Sequence, residues 1–241
     1  ALGPTSLLIV HRPEDVGLRP DGEDAASPAS SVRPTTTEEE PALSLREAAR
    51  TRTLWLLAVA GGLGFMVHAG VNIHLVAHLR DQGLGATVAA SAISLNAVFT
   101  GVGSIVWGWA TERVPVRYAY AGVALVMAVA SGLFVTVDTT GEAFALASLF
   151  GFALGGLLAV PPVAFADYFG RSSLGVIRGV TEPFATVGQS VGAVLSGAIY
   201  DSTKSYRGAF FALAAVATVA MVILLLARPP ARASASAPPK S

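Results

Sequence analysis

The sequence contains no cysteine, which excludes disulfide bonds, thiolate metal sites and cysteine nucleophiles. Charge is also scarce, because charged residues make up 13% of the 241 residues while hydrophobic residues make up 53%. Sixteen basic residues balance sixteen acidic ones, so the net charge gives no reason to expect nucleic acid as a partner. Such a composition is typical of a membrane protein and too apolar for an ordinary soluble domain.

Signatures of catalysis are missing as well. We find no paired carboxylates deep within an apolar run, no GxSxG nucleophile turn and no HExxH helix. His74 and His78 are four residues apart, which is a spacing seen in metal sites, but two ligands without a nearby carboxylate pair do not make one. We therefore expect no enzyme activity, no cofactor and no bound metal.

Six apolar segments follow one another from Leu54 onward, each about as long as a helix that crosses ~30 Å of hydrocarbon. The connections between them are short, and backbone in lipid must satisfy its hydrogen bonds internally, so neighbouring helices should be antiparallel. The sequence predicts an all-α membrane protein with a six-helix transmembrane domain over residues 53–228. The predicted spans are 54–79, 87–110, 117–137, 142–166, 179–200 and 208–227.

The flanking regions differ from the spans in composition. We interpret residues 1–10 as the end of a preceding transmembrane helix, 11–52 as a cytoplasmic linker and 229–241 as a disordered cytoplasmic tail. Within the linker, Ser44 and Glu47 have the spacing of a capping box, which predicts a short helix leading into the first span.

Lysine and arginine are distributed unevenly between the two sides of the predicted bundle. Of the 16 such residues, only Arg80, Lys204 and Arg207 fall on one side. The basic side faces the cytoplasm, so the linker and the C-terminus should be cytoplasmic in a multi-pass protein of the plasma (inner) membrane.

Polar residues inside the spans are few, and each is a candidate for lining a solute pathway. Polar groups at membrane depth are tolerated where they face protein or water. The alternative is that they form hydrogen bonds between helices. The third and sixth spans have almost none, so we expect these two helices to face lipid. The candidate pathway residues are His68, Asn72, Asn96, Thr100, Glu182 and Gln189.

The segment GWATERVPVR resembles the cytoplasmic signature loop of the major facilitator superfamily. Gly108, Glu112, Arg113 and Arg117 fit that signature, whereas Pro115 and Val116 stand where glycine and arginine are usual. The segments FADYFGRSSLGVIRG and SGAIYDSTKSYRGAFF also resemble the C-terminal half of these transporters, near the monocarboxylate and oxalate:formate antiporter groups.

The resemblance implies one half of a twelve-helix fold, built as two inverted three-helix repeats. It implies a secondary active transporter that moves a small solute by alternating access, and a missing N-terminal half as partner. An organic anion such as a monocarboxylate is a candidate solute, and proton coupling is left open. Gly108, Glu112, Arg113 and Arg117 would form a cytoplasmic gate, with Glu112 as a latch to the opposite half.

One departure from the family weighs against an anionic solute. Monocarboxylate-type relatives often carry a basic residue in the second helix of this half, where the present chain has Asn96 and Thr100. An anion would then need His68 or the missing half to supply positive charge. The alternative function is a self-contained six-helix binding or scaffold protein in the membrane, or a dimeric pore.

Overall fold

The computed structural model describes residues 43–171 and 173–230, so the predictions made for residues 1–42 and 231–241 lie outside it. Throughout the described residues the regular structure is helical. A 3₁₀ turn, Phe134–Thr136, extends the fifth helix. The helices are α1 (Leu45–Ala49), α2 (Arg52–Asn72), α3 (Leu75–Asp81), α4 (Ala86–Thr111), α5 (Val116–Leu133), α6 (Thr140–Phe169), α7 (Leu174–Thr203) and α8 (Arg207–Leu226).

Six of these helices are long, and their bounds lie close to the six predicted spans. By length and hydropathy, five of the helices in the described residues could cross a membrane: α2, α4, α5 with its 3₁₀ turn, α6 and α8. Helix α7 has 30 residues, as many as α6. It is not among the five because polar and charged residues such as Arg178, Glu182 and Gln189 lower its mean hydropathy. The predicted all-α membrane bundle is confirmed.

Hydrogen bonds at the two ends of the bundle establish the up-and-down order of the helices. At one end, Thr53 at the start of α2 donates to the carbonyl of Arg228, which follows α8, at 2.6 Å. At the other end, the guanidinium of Arg207 at the start of α8 donates to Gln82, which follows α3, at 3.3 Å. Helices α2 and α8 therefore run in opposite directions, as the first and last members of an up-and-down bundle of six should.

The packing partners of the long helices follow a two-fold pattern. The most extensive contacts are those of α4 with α6, α2 with α7, and α5 with α8. Exchanging the first three long helices (α2, α4, α5) for the last three (α6, α7, α8) reproduces this set of pairs. Such an exchange symmetry is what two inverted three-helix repeats produce.

Glycine permits the two closest of these helix contacts. A Cβ added at Gly188 or Gly192 of α7 would collide with the backbone carbonyls of Gly62 and Met66 on α2. On the other side of the bundle, a Cβ at Gly151 of α6 would collide with the carbonyl of Asn96 on α4. Small residues let helix backbones approach closely in a membrane, where lipid removes the hydrophobic force between helices.

The segment before the first span contains the predicted capping box. The side chain of Ser44 accepts from the backbone of Glu47, and the Glu47 carboxylate accepts in return from the Ser44 backbone at 2.9 Å. The Ser44 hydroxyl also donates to the Glu47 carboxylate at 2.7 Å, and this bond, together with the one from the Ser44 backbone, holds the pKa of Glu47 below its ordinary value. The helix ends at Ala49, and a turn through Arg50 and Thr51 separates it from α2.

The first predicted span proves to be two helices rather than one. The chain leaves the helical path at Ile73 and His74, where the amide of His74 bonds to the carbonyl of Val71 instead of the one four residues back. No proline marks this break, and Gly70, whose carbonyl would accept from His74 in a regular helix, is one of several glycines in α2, so the sequence did not predict it. His68 and Asn72 therefore lie on α2, while His78 lies on α3.

The third and sixth long helices, α5 and α8, pack against each other along part of their surface. In α5, the outward stripe consists of Tyr118, Leu125, Val129 and Leu133, and the residues between them are largely buried. We expected both helices to face lipid, but in α5 only this one stripe is available to do so. The helices with the broadest exposed surfaces in this chain are α4 and α7.

Candidate functional site

The two outer histidines are occupied by contacts between helices. His78 is completely buried, and its Nε2 lies 2.8 Å from the carbonyl oxygen of Phe134 at the end of α5. His74 Nε2 lies 3.0 Å from the carbonyl oxygen of Ala193 on α7. Among the described residues, no three His, Asp or Glu side chains come together as a metal site.

Two of the candidate pathway residues, Asn96 and Thr100, belong to the contact of α4 with α6. Asn96 is 3% exposed, and its side-chain amide donates to the carbonyl of Ala147 at 3.1 Å. Thr100 donates to the carbonyl of Asn96 on its own helix at 2.8 Å. This geometry favours the alternative weighed for these residues, in which polar groups hold helices together.

His68 and Asn72 differ from the other polar residues of the first span. His68 Nδ1 and Asn72 Oδ1 are both inaccessible to solvent, and neither has a hydrogen-bond partner among the described residues. The two side chains lie one turn apart on the same face of α2. An unsatisfied buried polar atom is unfavourable unless another group or a solute pairs with it, so this face of α2 is a candidate for solute contact.

A cavity of about 240 Å³ opens on the same face of α2, nearer the end predicted to be cytoplasmic. Ala58, Gly61 and Phe65 of α2 line it, and their spacing continues through His68 to Asn72. The cavity and the two unpartnered side chains thus form one stripe along the helix. The remaining walls come from α5, α6 and α7, with Tyr120, Leu157, Leu158, Pro161, Pro162, Phe165, Arg178, Thr181, Glu182 and Ala185.

The polar residues in the middle of α7 are exposed. Glu182, Thr186 and Gln189 follow one another at helical spacing, and all three are exposed in this chain. Glu182 is 3.6 Å from Arg178, with about half of each side chain exposed. Glu182 lies in the cavity wall, while Gln189 lies two turns farther along α7. The structure therefore joins Glu182 to the cavity, whereas Gln189 borders open space.

The signature loop lies between α4 and α5 at the end of the bundle that carries Arg178. Gly108 is in the last turn of α4, and Glu112 ends that helix. The Glu112 carboxylate is 3.6 Å from Arg113, and the Arg113 guanidinium lies 3.6 Å from the centre of the Trp109 ring. Arg117 donates to the hydroxyl of Tyr118 at 2.7 Å. The bases are thus held locally, while the Glu112 side chain is 75% exposed.

Comparison with known proteins identifies the family. The sequence pattern of the Major Facilitator Superfamily matches residues 54–241, which cover the six long helices except for the first two residues of α2. The chain belongs to the Major Facilitator Superfamily. It is therefore a multi-pass membrane protein whose transporter family points away from enzyme activity, as the sequence predicted.

Three relatives are similar to this member of the superfamily. Monocarboxylate transporter 13 of Bos taurus is 31% identical over 145 residues, and its counterpart in Rattus norvegicus is 32% identical over 143, each match covering 57% of this chain. Monocarboxylate transporter 12-B of Danio rerio is 30% identical over 158 residues, or 64% of this chain. Each match spans 33% of the relative, so the chain covers about a third of their length.

Two features of the cavity were missed by sequence reasoning. Tyr120 is 2% exposed and lines the cavity, but a lone tyrosine one turn inside an apolar helix gave no functional signal. Arg178 was considered only as a positive charge near the cytoplasm. Its position beside Glu182 at i, i+4 spacing was the one sequence signal that could have placed it at the site.

Proposed function

We propose that this protein is a secondary active transporter that moves a small organic monocarboxylate across the plasma (inner) membrane by alternating access. The names of the three relatives support the solute class, and membership of the superfamily supports the mechanism. In such transporters two six-helix halves rock around a site near the middle of the bilayer. The present bundle would be the C-terminal half, with its linker and C-terminus in the cytoplasm.

The observation that carries the proposal is the pair of unpartnered atoms on α2. His68 Nδ1 and Asn72 Oδ1 are withdrawn from solvent without a hydrogen-bond partner among the described residues, and they continue the wall of the cavity. Ionisable and polar residues within a membrane segment are costly, so those without a structural partner are prime candidates for contact with solute or protons. A histidine there can hydrogen-bond a solute when neutral and hold an anion when protonated.

Uptake of a labelled monocarboxylate into proteoliposomes tests this function, with and without an imposed pH gradient. We expect His68→Ala to reduce uptake strongly. His78→Phe is a suitable control, because His78 is also a histidine buried among the helices, but its Nε2 is committed to the carbonyl of Phe134. If both variants lose uptake in proportion to their loss of folded protein, His68 has no role in transport. If the unaltered protein shows no uptake of any monocarboxylate, the proposed solute class fails.

The cytoplasmic gate is a second part of the proposal. Glu112 ends α4 with its carboxylate largely exposed, so it is free to reach a positive helix N-terminus in an opposing half. The pairing with Arg113 does not prevent this, because an exposed ion pair contributes only about 0–1 kcal/mol. In this proposal the N-terminal half supplies the partner, and Arg113 and Arg117 hold the loop in place.

A further inference from the structure

We propose that the cavity between α2, α5, α6 and α7 binds a small zwitterion of the α-amino acid class. The inference rests on the proposed transport function and narrows its solute to a monocarboxylate that also carries a cationic amine. Four features of the cavity support this inference. They are a buried hydroxyl group, two backbone carbonyls that lack their helical donor because proline stands four residues later, an ion pair that is half exposed, and an apolar wall.

The buried hydroxyl belongs to Tyr120 of α5. The side chain is 2% exposed, and its hydroxyl has no hydrogen-bond partner in the described part of the chain. That oxygen lies 3.3 Å from where a Cβ on Gly61 would stand, and both residues line the cavity. Gly61 has no side chain to block this approach, so the hydroxyl, although closed off from solvent, lies beside the cavity lining and can donate to an acceptor that reaches it.

The freed carbonyls come from the Pro161–Pro162 pair within α6. Proline has no backbone N–H, so the carbonyls of Leu157 and Leu158 lose the donor that a helix normally supplies four residues later. All four of these residues line the cavity. The α6 wall therefore offers acceptors for a ligand that brings its own N–H groups, and an ammonium brings three.

Arg178 and Glu182 place opposite charges in one wall of the cavity. Their charged groups are 3.6 Å apart, and about half of each side chain is exposed, so a ligand can approach both. A ligand carboxylate matches the Arg178 guanidinium and the Tyr120 hydroxyl. A ligand ammonium matches Glu182 and the α6 carbonyls. A carboxylate without an amine would instead approach Glu182 as a like charge and leave those carbonyls without a donor.

The remaining wall and the size of the cavity limit the ligand further. The cavity volume of about 240 Å³ is large enough to admit a small amino acid. Leu57, Phe65 and Phe165 provide an apolar surface, so the ligand side chain should be apolar. Valine has these properties and serves as the probe.

The test compares three ligands that share the same branched carbon skeleton. These are L-valine, 3-methylbutanoate without the amine, and 2-methylpropylamine without the carboxylate. Equilibrium binding is measured on protein expressed from its complete gene and held in lipid nanodiscs. We expect L-valine to bind about tenfold more tightly than either analogue, because each analogue loses a charge-assisted contact. Equal binding of L-valine and 3-methylbutanoate would overturn the proposal.

Two substitutions locate the binding in this cavity. Tyr120→Phe removes the hydroxyl alone and should weaken L-valine binding by about tenfold. Tyr168→Phe makes the same change outside the cavity, where the hydroxyl donates to the carbonyl of Ala227, and should leave binding unchanged. Glu182→Gln should reduce the preference for L-valine over 3-methylbutanoate. L-valine affinity unchanged in Tyr120→Phe would contradict this site.

The outcomes separate this inference from the proposed transport function. Uptake of 3-methylbutanoate without binding of L-valine would refute the zwitterion site and leave monocarboxylate transport standing. Specific binding of L-valine that depends on Tyr120, without uptake of any of the three ligands, would support the site and refute transport.

Discussion

Helices α4 and α7 occupy matching places in the two repeats but present different chemistry. Each is attached to the bundle by a narrow seam of small residues, α4 to α6 and α7 to α2. The free face of α4 is apolar, with Val98, Val102, Ile105 and Trp109 all exposed. The free face of α7 includes Glu182, Thr186 and Gln189.

The repeat therefore determines where each helix lies in the bundle, whereas the individual residues determine whether its free face is polar or apolar. An apolar face such as that of α4 can pack against lipid or against the dry surface of another helix. A carboxylate and an amide at membrane depth are costly against lipid, so the α7 face requires protein or water beside it. Of the two equivalent helices, α7 is therefore the one expected to border the solute pathway.

The largest expected effects concern the seams that both helices share. Gly103→Ala on α4 and Gly192→Ala on α7 each place a methyl group against a facing backbone carbonyl, of Phe152 and Met66 respectively. Overpacking of this kind should destabilise the protein by about 1–3 kcal/mol. The loss of stability is measured by thermal unfolding in detergent.

The controls for this prediction are glycines on the same two helices. Gly101 of α4 and Gly179 of α7 have no atom within 4 Å of an added Cβ, apart from their own helix backbone and chain neighbours. Their alanine variants should be as stable as the unaltered protein or slightly more so, because alanine favours helix. If Gly103→Ala unfolds at the same temperature as Gly101→Ala, the close contact of α4 with α6 is incorrect.

The next prediction separates the roles of the polar residues on the two helices. Asn96→Ala on α4 should cost about 0.6–1.7 kcal/mol of stability, since it removes the bond to Ala147. Gln189→Ala on α7 should leave stability unchanged and lower uptake by about tenfold, the effect of one lost hydrogen bond to solute. Melting temperature and proteoliposome uptake are measured on both variants. The reverse pattern would place the solute contact on α4.

A small effect on stability is expected in the signature loop. Glu112→Ala should change the free energy of unfolding by less than about 1 kcal/mol, because the pair with Arg113 is exposed. The substitution should nevertheless shift the balance between the inward-open and outward-open states. This balance is measured by how accessible the solute pathway is from the cytoplasmic side. An unchanged balance would show that Glu112 is an ordinary loop residue.

Sequence reasoning predicted the helices well because they follow from the length of apolar runs. For example, the predicted span 87–110 differs from the observed helix α4, Ala86–Thr111, by one residue at each end. The signature loop was recognised from residues at fixed spacing, and the repeat was implied by the family resemblance that this loop supports. Each of these signals is local, so a single sequence contains it.

The site was predicted less completely because its contacts are distant in the chain. His78 is paired with a carbonyl 56 residues away and Asn96 with one 51 residues away, and no residue type marks those backbone partners. Sequence reasoning therefore grouped Asn96 with His68 and Asn72 as candidate pathway residues, and it did not predict the buried contact of His78. Tyr120 was missed for the same reason, since its exposure to the cavity depends on Gly61 of another helix.

Single-cysteine labelling tests most directly whether α7, and not α4, borders water. The 241 residues contain no cysteine, so a thiol introduced among them has no competitor within this sequence. Gln189→Cys and Ile105→Cys are placed singly in the membrane-embedded protein and treated with a charged methanethiosulfonate. The account predicts fast reaction at position 189 and slow reaction at position 105. Equal rates, or faster reaction at position 105, would contradict it.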